Sequence, residues 1–407
     1  MRYVIFDDNK WENFFPLTYT RSTGDLRVGI LKLRQRICAY LELEKADIIV
    51  PVSLQKVYKE RHSDWQINTL FADETIFINS RVKINNALVQ AIKQLNAGSC
   101  LIYKQDVLAA RFTPLAGDIS SDQMNELFNE LSKMEWKEPV TWNYIWELIS
   151  ENSKYIEHDF QNFFYDKDNY FETETGITVL NPYNIWLGEG CSIMPGVIID
   201  ATEGPVIIDE GAKIMANAVI MGPVYIGKNS TIKVGAKIYE GTSIGPVCKV
   251  GGEVEESIFQ AYSNKQHDGF LGHSYLGEWI NIGADTNNSD LRNDYGQVPL
   301  YFYPKKKKID TGCQFVGAVI GDHSKTGINC TINTGTVIGV GCNVVGSDMI
   351  MNHVRSFHWG FMKTLIEHEI GKFIDTATAV KKRRKLGFSE AEKELYSKIH
   401  KSVFALK

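Results

Sequence analysis

The chain has 407 residues, 44% of them hydrophobic and 23% charged, which suits a soluble globular protein of two or three units. Its formal net charge of −5 gives no reason to expect a nucleic-acid partner, and no apolar run is long enough to cross a bilayer. Seven scattered cysteines without a CxxC pair point to reduced thiols, not a disulfide scaffold or a zinc site. The opening MRYVIFDDNK lacks the basic region and long apolar stretch of a signal peptide, so a cytoplasmic protein is expected.

Residues 1–165 alternate short apolar strands (YVIF, ADIIV, TIFI, CLIY) with helical stretches at 30–40 and 86–95. That alternation predicts an α/β layer on a parallel sheet. One segment, PLTYTRSTGDLRVG at 16–29, resembles the sugar nucleotidyltransferase pattern PLTxTRPKPLLPVG. The resemblance implies a nucleoside triphosphate, with Mg²⁺, lying beside a sugar 1-phosphate, and phosphate contacts from Arg21, Arg27 and the Thr23 position. Two departures stand out. The Gly-rich phosphate loop of that family is replaced by DDNKWENF, and its catalytic Lys aligns with Thr23. Arg and Lys are not interchangeable, so an active nucleotidyltransferase and a degenerate structural domain both remain open. No metal ligand can be assigned.

Next an aliphatic residue falls at every sixth position, at Ile208, Ile214, Ile220, Ile226, Ile232, Ile238, Ile244 and Val250. The same step runs through Leu187, Ile193 and Ile199, and again through Ile332, Ile338 and Val344. A period of six fits neither a helix nor a plain strand. It predicts a left-handed parallel β-helix whose coils each send aliphatic side chains into a shared interior. Each inward side chain contributes about 1.5–3 kcal/mol by burial. The register breaks at QAYSNKQHDGF, and more widely between Ile282 and Ile320. Long interruptions of a rigid repeat are loops, and such loops tend to carry function.

The first break opens HDGFLGHSYLGEWINIGADT, residues 267–286. This stretch resembles the acetyltransferase half of the bifunctional glucosamine-1-phosphate acetyltransferase / N-acetylglucosamine-1-phosphate uridylyltransferase family, whose His-x₃-Leu-Gly and Asn-Ile-Gly-Ala-x-Thr spacing it reproduces without a gap. GAVIGDHSKTGIN at 317–329 resembles related sugar-1-phosphate enzymes. The resemblance implies that His267 is the general base and that the Ala284 N–H meets the thioester oxygen, with Ala318 also on the acyl-CoA. It places Asn281 on the sugar. Asp290 stands where the family has an Asn that helps orient the base, and Phe270 replaces a Tyr that contacts phosphate. The nearest cations in sequence for a sugar phosphate are Lys265, Arg292 and the run 305–308. The residue chemistry agrees: an imidazole can accept a proton from an attacking amine near neutral pH, and a Gly-Ala turn lets an N–H approach an oxyanion. The resemblance also implies a homotrimer, with acetyl-CoA as cosubstrate and UDP-N-acetylglucosamine as product.

Beyond Ser356 the repeat stops, and SEAEKELYSKIH carries a Ser389–Glu392 capping box opening an amphipathic helix that packs on the β-helix or on a neighbouring subunit. The basic run at 381–385 reads as solvated surface unless a site lies beside it. The expected order is an α/β nucleotidyltransferase-like domain (1–175), a β-helix (176–355) and a helical tail (356–407). Two other readings stay open. One is a metal-dependent hydratase using His267, His273 and His323, and the other is a non-catalytic scaffold.

Overall fold

The computed structural model describes residues 1–170 and 175–405. The four apolar runs of the first half form strands Arg2–Phe6, Asp47–Ile49, Thr75–Asn79 and Ser99–Tyr103. With Asp106–Phe112 and Ser132–Glu135 they make one six-stranded sheet. The sheet is mixed, not parallel as expected. Asp106–Phe112 runs antiparallel to both Ser99–Tyr103 and Thr75–Asn79. Only two residues, Lys104 and Gln105, separate it from Ser99–Tyr103, and Lys104 takes a positive φ of 56°. So short a connection can only make a hairpin.

From strand Thr178–Leu180 onward the hexad pattern folds into a parallel β-solenoid. Three sheets run along it, the longest with nine strands from Ile185–Leu187 to His353–Val354. The six-residue aliphatics, Ile208, Ile214, Ile220 and their successors, fill its interior and are completely buried. A last parallel strand, His358–Gly360, pairs with Asn343–Val344 and carries the ladder beyond Ser356.

One corner repeats a left-handed residue on successive coils: Gly211, Asn229, Val247, Tyr262, Trp279, His323, Gly341 and Phe357 all have φ between 53° and 67°. Glycine and asparagine accept that conformation readily, whereas bulky residues are strained there. Stacking offsets the strain. Tyr262 lies on Trp279 at 4.4 Å and Trp279 on His323 at 5.9 Å.

The longest sheet has a second apolar face, turned outward. In register along it stand Trp186, Ile207, Tyr225, Ser243, Ile258, Tyr275, Val319 and Val337. The N-terminal domain docks on this column. Helix Asn152–Phe163 covers Trp186, Ile207 and Tyr225, while Phe14, Leu17, Leu26 and Trp142 pack with Ile258, Tyr275, Val319 and Val337. The second interruption folds into a hairpin, Pro299–Phe302 with Lys307–Asp310, whose Val298 and Leu300 join the same core. Helices Ile370–Lys382 and Glu390–Phe404 close the remaining angle, packing on the N-terminal domain and on Val340 and Phe357 of the solenoid. The Ser389–Glu392 capping box forms, with bonds of 3.2 and 3.1 Å.

Candidate active site

His267 is exposed just after strand Asn264–Lys265, on the first interruption of the repeat. Asn264 pairs in parallel with Asn281 on the next coil, and the Asp285 N–H donates to the Asp268 carbonyl at 3.0 Å. His267 and Ala284 therefore hold the same place on consecutive coils, about 4.8 Å apart along the stack. The Ala284 N–H donates to no group among the described residues. Gly283 lets the next coil come close, since a Cβ there would lie 2.0 Å from the Gly327 carbonyl oxygen.

Lys265, expected on phosphate, is buried. Its ammonium donates to the carbonyls of Gly251 and His267, each at 2.9 Å, so it fastens the loop bearing His267 and is not offered to a ligand. Burial pushes its pKa down to about 8.

Beside this loop a cavity of about 330 Å³ opens, lined by Asn281 and Gln266 and by the rings of Tyr262 and Trp279. Its charged lining is wholly basic: Lys249, Lys325, Arg383 and Arg384. The last two come from the 381–385 run, which is thus a cavity wall and not idle surface. Lys325 continues the register of Asn281 on the following coil, and burial pushes its pKa down to about 8. Burial and the neighbouring charges of Arg384, Lys233 and Arg383 also hold the Lys249 ammonium below the usual lysine range. Arg384 donates to Asn264 Oδ1 at 3.0 Å, which positions the guanidinium. Four uncompensated cations around one cavity suit an anion. Lys325 lies inside the GDHSKTGIN motif, but nothing in one sequence brings Arg383 and Arg384 to it.

The other expected residues are placed differently. Asp290 orients His273, not His267, through a 2.8 Å bond to Nδ1, and Phe315 stacks on that ring at 5.0 Å. Phe270 is half-buried on the next strand, its N–H bonded to Asn287 Oδ1 at 2.7 Å. Arg292 lines a separate cavity with Lys308 and is bound to Asp294 at 2.5 Å. Ala318 cannot meet coenzyme A as expected, because it is fully buried in the solenoid and its N–H is taken by Ser274 Oγ at 2.9 Å.

In the N-terminal segment the correction is larger. Arg21, buried, is bound to Asp322 of the solenoid at 2.6 Å, with Glu278 at 3.7 Å. The Arg27 backbone meets the Tyr275 hydroxyl and Gln260, and its guanidinium folds back onto the Ile30 carbonyl. Thr23 is completely buried, and its hydroxyl has no partner. Arg21 and Arg27 form the seam between domains, Thr23 is sealed beside them, and none of the three is exposed.

A cation for nucleotidyl transfer finds little here. Asp8 is held by Arg81, Asp25 by Arg34 and Lys32, and Asp106 by Lys10. Asp7 keeps one oxygen without a partner, but burial raises its carboxyl to about 7. The carboxylates as arranged do not fit Mg²⁺. His323 cannot join a three-histidine metal set within one chain. It is buried among Trp279, Phe373, Phe388 and Tyr396, and burial keeps it neutral, well below the usual imidazole range. Among the described residues the group of three potential ligands is Glu255, His273 and Asp290.

Residues 3–167 match the family described as sugar nucleotidyl transferase, and residues 205–240 match the bacterial transferase hexapeptide repeats. A bifunctional sugar-1-phosphate nucleotidylyltransferase/acetyltransferase of Sulfurisphaera tokodaii is 40% identical over 143 residues, 34% of each chain. A bifunctional protein GlmU of Methanococcus aeolicus is 33% identical over 163 residues, 40% of this chain and 39% of that one. The chain thus spans little more than a third of the length of these relatives. An Arabidopsis UDP-N-acetylglucosamine acyltransferase overlaps 57% of this chain and 90% of its own at 14% identity, with a TM-score of 0.30. No helix among the described residues is long and apolar enough to cross a membrane. The chain thus joins a domain that matches sugar nucleotidyl transferases to a β-solenoid that carries hexapeptide repeats of the bacterial transferase kind.

Proposed function

We propose that the face around His267 transfers an acetyl group from acetyl-CoA to the amine of glucosamine 1-phosphate or a similar amino-sugar phosphate. The observation that carries this reading is the register: an exposed imidazole stands one coil from an unclaimed N–H, beside a cavity whose charges are all positive. The imidazole accepts the proton as the amine nitrogen attacks the thioester carbonyl. The Ala284 N–H takes the oxyanion of the tetrahedral intermediate. The C–S bond then breaks, and the departing thiolate receives the proton from the imidazolium. Lys325, Arg383 and Arg384 would hold phosphate groups, with Asn281 on the sugar. A homotrimer, with each site between neighbouring solenoids, and a cytoplasmic location belong to the same reading.

Thiol release from acetyl-CoA in the presence of glucosamine 1-phosphate tests it. His267→Ala is expected to lose about 10²–10⁴-fold in turnover, and unchanged turnover removes His267 from its role.

The family match over residues 3–167 favours a second activity, transfer of uridylyl from UTP to the acetylated sugar 1-phosphate, giving UDP-N-acetylglucosamine and pyrophosphate. Pyrophosphate release from UTP in Mg²⁺ buffer tests it separately. No release would make this domain a structural partner of the solenoid, as the engaged Arg21 and Arg27 suggest.

A further inference from the structure

Another cavity, of about 500 Å³, lies where four parts of the chain meet. The N-terminal segment supplies Glu12, Phe15 and Tyr19, the hairpin Tyr301, Tyr303 and Lys306, the solenoid's last coils His353 and Arg355, and the final helix Val403. It shares no lining residue with the cavity beside His267.

Five rings build it. Phe15 stacks on Tyr19 at 3.7 Å, and Tyr301 stacks on His353 at 3.8 Å. Tyr303 stands edge-on to both pairs, 5.1–5.9 Å from each of the other four rings. Burial pushes His353 down to about 4, so this ring is a neutral stacking surface near pH 7. Arg355 is exposed and donates through one nitrogen to the Val403 carbonyl at 2.5 Å, which fixes the guanidinium and leaves other N–H groups for a ligand. Lys306, at the hairpin turn with φ of 50°, adds a second exposed cation. Five planar rings, with two cations against the single carboxylate of Glu12, match a molecule that is planar in one part and anionic in another. The volume suits a ligand of nucleotide size.

We propose that this four-way cavity binds a nucleoside diphosphate, its base against the aromatic rings and its phosphates on Arg355 and Lys306. Because its walls come from every part of the chain, occupancy favours the docked arrangement of domain, solenoid and tail, and the ligand raises the unfolding temperature.

Titration calorimetry on the full chain with UDP, ADP, uridine and inorganic pyrophosphate tests the proposal. UDP or ADP is expected to bind at least about tenfold tighter than uridine or pyrophosphate. Tyr301→Ala and Arg355→Ala should each weaken that binding at least about tenfold, and Lys325→Ala should leave it unchanged. Lys306→Ala, at an exposed position, serves if either of the first two variants misfolds, and should weaken binding several-fold. Nucleotide binding that survives the cavity variants, or pyrophosphate binding as tightly as UDP, overturns it. Thiol release should persist in Arg355→Ala, and UDP binding should persist in His267→Ala, so failure here and failure of the acetyl-transfer reading are distinguishable.

Discussion

Two strips of this molecule carry basic residues beside a recognisable motif, and they treat them in opposite ways. In the N-terminal strip, residues 16–29, Arg21 is sealed against Asp322 and Arg27 is folded onto its own backbone. On the solenoid face, Lys249, Lys325, Arg383 and Arg384 surround a cavity with no acidic side chain in its lining. The difference lies in what claims each cation. A buried guanidinium must be paired, and the docking of the N-terminal domain provides the carboxylate. The solenoid face has no such partner, so its positive field stays available to a ligand. A motif in sequence shows which charges are present, not which are already engaged.

The sharpest way to break the comparison is to unpair the sealed strip. Asp322→Ala leaves Arg21 buried without its closest carboxylate and is expected to cost about 3–5 kcal/mol of stability, measured by urea unfolding. A loss near zero would mean that Arg21 is free to serve a ligand.

Asp7 sharpens it next, through pH. Burial raises its folded-state carboxyl from 3.8 to about 7, so the folded protein binds this proton more tightly than the unfolded chain. Its contribution is fully present below about pH 4 and is lost as pH rises through 7. Asp7→Asn, which stays neutral, should therefore gain on the native protein between pH 5 and pH 8, by about 1.4 kcal/mol for each unit of pKa separation crossed. An equal loss at both pH values contradicts this. On the open strip, Lys325→Ala with Arg384→Ala should raise KM for acetyl-CoA or the sugar phosphate about tenfold and leave kcat nearly unchanged. Unaltered KM values would show those cations to be idle. The smallest effect is expected at the tail, where Ser389→Ala removes a formed helix cap and should cost about 1 kcal/mol.

The solenoid was legible because its period is local: every sixth aliphatic reports the same inward position. The outward column went unread, although Tyr225, in the middle of strand Val224–Ile226, occupies a position that an exposed face would leave polar. The antiparallel strand Asp106–Phe112 was missed because its alternation is weak and its turn lacks glycine. The site divides the same way. His267, Asn281 and Ala284 sit in one uninterrupted motif and come together through coil register. Arg383 and Arg384 arrive from 120 residues away in sequence through helix docking, which no spacing rule reveals. Asp290 went to His273 because both stand at another corner of the coil, one strand beyond His267.

That rival imidazole offers the most direct test of the account. Acetyl transfer can be measured in His267→Ala and in His273→Ala under identical conditions. The account predicts that His267→Ala loses at least about a hundredfold in kcat, while His273→Ala stays within a few-fold of the native enzyme. The reverse pattern, with the Asp290-linked His273 indispensable and His267 replaceable, would contradict it.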